Sequence, residues 1–92
     1  MRISSDQLDR AYHPCAGVCK VFLDGAERNN VITADEEGRV AVTYRLDERG
    51  AVMYDEKTGL AKRDTFTGSV RVECPGWLRQ ECEGRHPHTD VA

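Results

Sequence analysis

No apolar run in the 92-residue chain approaches the ~18 residues that a membrane-spanning helix needs, and the opening stretch MRISSDQLDR lacks the apolar centre of a secretory signal. No membrane role is expected, and the chain is placed in a reducing cytoplasm where cysteines stay as thiols. A basic excess is also missing: 13 Lys and Arg face 16 Asp and Glu, for a net charge of −3. That balance argues against a non-specific nucleic-acid binder. Catalytic signatures are missing too. There is no Gly-x-Ser-x-Gly elbow, phosphate-cradling glycine loop or paired-histidine metal motif, and the CxxxC of Cys15 and Cys19 is not the redox CxxC. A nucleophile needs a base beside it and a group to orient that base. His13, His86 and His88 fall in expected loops or tail, so the sequence reads as a non-enzyme.

What is present suits one small domain. The chain is 39% hydrophobic and 32% charged, wet for a globule but too apolar for general disorder. Its organising stretch is Gly38 to Tyr54, GRVAVTYRLDERGAVMY. Val40, Val42, Tyr44 and Leu46 alternate with Arg39, Ala41, Thr43, Arg45 and Asp47, a period of two that predicts a strand with one face in a core. Glu48-Arg49-Gly50 supplies a turn with glycine in a left-handed position, and Ala51 to Tyr54 runs back as the second arm of a hairpin. On this register Val42→Asp unfolds the domain and Arg45→Ser is nearly neutral.

Around the hairpin, Ile3 to Tyr12 predicts a short helix. Ser4 stands as N-cap with Gln7 completing a capping box, and Ile3 and Leu8 form a hydrophobic staple. Pro14 ends it. Val18 to Leu23 is a strand, apolar on both faces, with Val18 and Phe22 on one side and Cys19, Val21 and Leu23 on the other. Asp24-Gly25 turns, Val31 to Ala34 is a second strand, and Asp35 to Gly38 leads into the hairpin. Thr65 to Cys74 is the last strand, with Val70, Val72 and Cys74 inward and Gly68 marking a bulge or a bend between two sheets. Trp77 to Cys82 predicts a helical turn with Leu78 and Cys82 on one side. The fold class is mainly β: a small antiparallel sandwich or partly open barrel of about five strands with a short N-terminal helix. Residues 1–84 form the domain and 85–92 a flexible C-terminal tail.

Three groups of residues are candidates for function. Ile3, Leu8 and Tyr12 from the front of the chain, with Trp77 and Leu78 from the back, can form an apolar patch that a second copy or another protein covers. Acidic turns at Asp35-Glu36-Glu37 and Asp55-Glu56, expected at one end of the sheet, can meet a basic partner; their spacing fits no calcium loop. Cys15, Cys19, Cys74 and Cys82 can be buried free thiols, zinc ligands or disulfide partners. The spacings within the two pairs, three and seven residues, lack the two-residue step of zinc knuckles. No cofactor is therefore expected, zinc being the one candidate. Outward Arg39, Arg45 and Arg71 make an interrupted basic stripe without the exposed aromatics of an RNA-reading sheet.

Val21-Phe22-Leu23-Asp24-Gly25 and Ala34-Asp35-Glu36-Glu37-Gly38, within Val21 to Gly50, resemble short β-rich proteins encoded by tailed phages and prophages. The resemblance covers about a third of the chain and brings no catalytic residues. It implies a phage-derived structural or protein-binding module in the virion, its assembly apparatus or the host cytoplasm. The alternatives are a small inhibitor of a host defence or regulatory protein that acts through its acidic loops, and a zinc-stabilised nucleic-acid module.

Overall fold

The computed structural model describes residues 1–84, so the tail predicted for 85–92, with His86 and His88, lies outside the described residues. Seven strands and one helix follow in order: β1 (Arg2–Ser4), β2 (Lys20–Leu23), β3 (Ala26–Arg28), β4 (Val31–Asp35), β5 (Val40–Tyr44), β6 (Arg63–Thr67), β7 (Val70–Glu73) and α1 (Gly76–Gly84). They make two antiparallel sheets, β1-β4-β5-β6 and β3-β2-β7, and no closed barrel. The core between them draws Ile3, Ala34 and Ala41 from the first sheet, Val21, Leu23, Val70 and Val72 from the second, and Leu78 and Cys82 from α1. This is the expected mainly-β sandwich, with more and shorter strands than the five read from the sequence.

The predicted N-terminal helix is not formed. Residues 2–4 are instead an edge strand, with Ile3 opposite Ala34 and Ser4 opposite Thr33. Ser4, the expected N-cap, and Asp6 and Asp9 after it each capture a backbone N–H two residues on. The Ser4 hydroxyl accepts from Asp6 (3.0 Å), Asp6 from Leu8 (2.9 Å) and Asp9 from Ala11 (2.8 Å). Such local bonds offer the backbone an alternative to the helix, and a run of three displaces it. The chain then returns along β1, where Ser4 bonds Ala11 and His13.

The hairpin register is shifted by one residue from the expected one. Ile3, Ala34, Ala41 and Phe66 line up as one row across the first sheet. Ala41 is 0% exposed and Thr43 is buried, whereas Val40, Val42 and Tyr44 lie half-buried on the other face. The two alanines side by side leave room for the second sheet and Leu78, so the small residues face in and the larger ones take the outer face. The partner of β5 is also not the expected return arm but β6, from Val40↔Thr67 to Tyr44↔Arg63. Val18 belongs to a 3-10 turn rather than a strand and is exposed.

Other turn signals translate directly. Asp24-Gly25 joins Leu23 to its partner Ala26 as a two-residue loop with both φ positive, the twist-matched hairpin turn. Gly50 has φ +83°, the left-handed position assigned to it. Gly68 marks the passage from β6 in one sheet to β7 in the other. A Cβ there would stand 2.8 Å from both carboxylate oxygens of Asp24, whose Oδ1 accepts the Ser69 N–H at 2.9 Å. The last strand is thus two strands bent at Gly68, and Val70 and Val72 face the core as read.

The observed register predicts that Ala41→Asp abolishes folding, since an unpaired carboxylate enters the core at a cost above about 3 kcal/mol. Val42→Asp, on the half-exposed face, costs less than half as much in urea denaturation, the reverse of what the expected register requires.

Candidate functional site

Two places concentrate polar and reactive groups: the junction where the β4–β5 turn meets β7 and α1, and the arm between β5 and β6.

At the junction, β7 is an edge strand of the second sheet, so the Val72 N–H and C=O point away from β2 and need partners. Glu36, from the turn after β4 in the first sheet, accepts the Val72 N–H at 2.8 Å. Arg79 of α1 donates to the Val72 carbonyl at 2.7 Å and to the two Glu36 oxygens at 3.0 and 3.3 Å. The amino group of Met1 lies 2.9 Å from Glu37 and 3.4 Å from Glu36. Burial alone would raise the Glu36 carboxyl, but Arg79 and the Val72 N–H outweigh it and hold it below its ordinary value. Asp35 is likewise held low, burial being outweighed by the Gly38 N–H and Arg2, and the Arg2 hydrogen bonds lower Asp9. Asp35, Glu36 and Glu37 are therefore structural tie points.

The predicted contact residues are split. Ile3 and Leu78 do meet across the ends of the chain, but as core, and cannot form an open patch. Leu8 is 95% exposed at the turn after β1 and Tyr12 is half-buried. Trp77 is 51% exposed, its ring 6.3 Å from that of buried His13. Asp55 and Glu56 lie in the arm beyond Tyr44, at the end of β5 opposite Asp35, Glu36 and Glu37, so the acidic turns do not share one end as expected. Of the basic stripe, Arg45 is paired with Asp64 (2.6 Å), and Arg71 lies 4.3 Å over the Phe22 ring and pairs with Glu73.

The arm, residues 45–62, branches into two small hairpins through the bridges Leu46↔Val52 and Tyr54↔Ala61. A ring of backbone bonds closes its base: Arg45 N–H to Lys62 O (2.9 Å), Lys62 N–H to Met53 O (2.8 Å) and Met53 N–H to Arg45 O (2.9 Å). Asp47 accepts the Arg49 and Ala51 N–H groups at one tip, and Asp55 accepts those of Lys57 and Thr58 at the other. This built scaffold holds Tyr54 61% and Leu60 68% exposed. The turn at Gly50 and the run back to Tyr54 are expected from the sequence, but the second hairpin after Tyr54 is not. The arm's signal was two Asp-led tips, each with a left-handed glycine, Gly50 and Gly59.

A cleft of about 320 Å³ opens between the sheets, with Ile3, Val21, Ile32 and Ala34 on its floor and Lys20 and Arg28 at its rim. Cys19 also lines it. No disulfide joins the four cysteines; Cys82 is buried and Cys15, Cys19 and Cys74 are half-buried. Their spatial grouping ignores the sequence pairs. Burial first, then the Cys74 charge and hydrogen bonding with Cys74, then Cys82, push the Cys19 thiol up to about 12. Cys15 instead sits by His13, whose Nδ1 accepts its N–H at 3.0 Å. Among the described residues no group of three or more His, Cys, Asp or Glu is arranged to hold a metal ion, and no helix is long and apolar enough to cross a membrane. No family model, curated protein or solved structure matches this chain.

The junction has a pH signature. A carboxyl held low in the fold binds its proton more weakly there than in the unfolded chain. Its contribution is complete above the ordinary carboxyl range and is lost as pH falls through the folded value. The melting temperature is therefore flat from neutral pH to about pH 5 and drops below about pH 4. Glu36→Gln removes about 1.5–3 kcal/mol at pH 7 and makes the acid limb shallower, as thermal melts across pH will read.

Proposed function

We propose that this protein is a non-enzymatic protein-binding module of phage or prophage origin, a structural or assembly component that engages its partner through the 45–62 arm. The observation that carries this reading is the pairing of a self-supporting backbone with outward apolar side chains. The ring of three backbone bonds and the two Asp-built tips order the arm without help from the core. The side chains it then presents, Tyr54 and Leu60, are apolar and exposed. A pre-ordered loop loses little freedom on binding, and a tyrosine beside an aliphatic residue is the kind of anchor that protein contacts use. The half-buried carboxylates Asp9, Asp35 and Glu36 are all engaged by arginines within the fold, which leaves them poorly placed for general acid–base work.

The inhibitor reading draws on the same arm through its exposed acids Asp47, Glu48 and Glu56, but Arg49 and Lys57 beside them offset the charge. That weakens a purely electrostatic approach to a basic surface, and the apolar pair is the better anchor.

The test is a density gradient of a lysate from phage-producing cells that express the protein. The wild type travels with particles or particle precursors. Tyr54→Ser with Leu60→Ser stays at the top of the gradient while its melting temperature is unchanged within about 2 °C, since neither side chain is in the core. A wild type absent from the particle fractions, or a double variant that remains there, contradicts the assignment.

A further inference from the structure

Cys19 directly precedes β2 and Cys74 directly follows β7, and these two strands pair antiparallel with Lys20 opposite Glu73 and Val21 opposite Val72. The Val72 N–H and C=O are both used by Glu36 and Arg79, on the side away from β2. Val21 and Val72 are therefore a non-hydrogen-bonded pair, Lys20 and Glu73 a hydrogen-bonded one, and the alternation makes the next pair non-hydrogen-bonded again. That next pair is Cys19 and Cys74. Cys19 is extended, at φ −81° and ψ 145°, so the strand geometry reaches it.

In such a pair the Cα atoms stand about 4.5 Å apart with the side chains on the same face, within the roughly 4.4–6.8 Å over which a disulfide closes. Both cysteines fall on the core side by their period of two from Val21 and Val72. Both pack against the same core, and Cys74 adds to burial in pushing the Cys19 thiol up. Cys82 is buried in α1, and Cys15 lies four residues before Cys19 beside His13, outside this register.

We propose that Cys19 and Cys74 are a cross-strand oxidation site, a dithiol that closes to a disulfide in exchange with a small disulfide such as oxidised glutathione. The cleft lined by Cys19 is the route in. One thiolate of the pair attacks a glutathione sulfur, forming a mixed disulfide and releasing one glutathione thiolate. The other then attacks the protein sulfur of that mixed disulfide and releases the second. The two cysteine protons end on the two glutathione thiols, so one disulfide is consumed and one is made. Because burial and the partner thiol keep Cys19 protonated at neutral pH, closure is slow there and accelerates as pH rises. The bridge clasps the β7 edge to β2 and ties down the chain between them, including the arm.

Treatment of the folded protein with oxidised glutathione tests this. The intact mass should fall by two hydrogens, free thiols should drop from four to two, and non-reducing peptide maps should join the segments that hold Cys19 and Cys74. The melting temperature should rise by at least about 5 °C and return with reductant. Cys15→Ser should behave as wild type and Cys74→Ala should show no closure. The proposal is overturned by four thiols persisting after prolonged oxidation at pH 8.5, by a glutathione adduct that never resolves, or by a bridge that maps to Cys15, to Cys82 or between chains. These readouts on the wild type stand whether or not the variants fold.

Discussion

The exposed edge of β7 is the constraint from which the rest of the structure follows. A sandwich of this size has few core side chains, and its second sheet has three strands, two of them edges. The Val72 peptide groups need partners, and they find them in Glu36 from the opposite sheet and Arg79 from the helix. One carboxylate thereby joins three separate parts of the fold: the β4–β5 turn that carries it, and the β7 edge and α1 that bond to it. Charge-assisted hydrogen bonds of this kind are stronger than neutral ones, and partial burial spares them some of the screening that weakens surface pairs. The tie also sets the position of α1, and with it Leu78 over the core.

The sequence made legible what depends on local chemistry. Asp24-Gly25, Gly50 and the bend at Gly68 carry their turn geometry in the residue itself, and Leu78 with Cys82 follows from helical spacing. Val70 and Val72 alternate with charged residues and so declare their face. Long-range choices decided the rest. Either face of β5 offers a plausible stripe, and only the close approach of the second sheet selects Ala41 and Thr43 over Val40 and Val42. Ser4, Asp6 and Asp9 have the composition of a helix start and serve here as turn makers, because pairing with β4 gives Ile3 a buried place that a short isolated helix does not.

The candidate sites divide along the same line. Glu36 was singled out as an acid for a partner, and its partner turned out to be internal, since an arginine 43 positions later is invisible to local pattern. The cysteines were grouped by proximity in sequence, whereas antiparallel pairing of an early and a late strand regroups them. Tyr54 ends the stretch expected as a return arm and Leu60 lies beyond any periodic run, so local pattern marks neither as an exposed anchor. Their exposure comes from the ring of backbone bonds at the base of the arm, a feature made by residues 45, 53 and 62 together.

A double-mutant cycle on Glu36 and Arg79 addresses the central claim most directly. Urea denaturation of the wild type, Glu36→Gln, Arg79→Met and the combined variant gives the coupling between them. The account predicts an interaction energy of roughly 1.5–3 kcal/mol, with each single change costing nearly as much as the pair. Additive effects with a coupling below about 0.3 kcal/mol would contradict it and leave the closing of the sandwich to its apolar core alone.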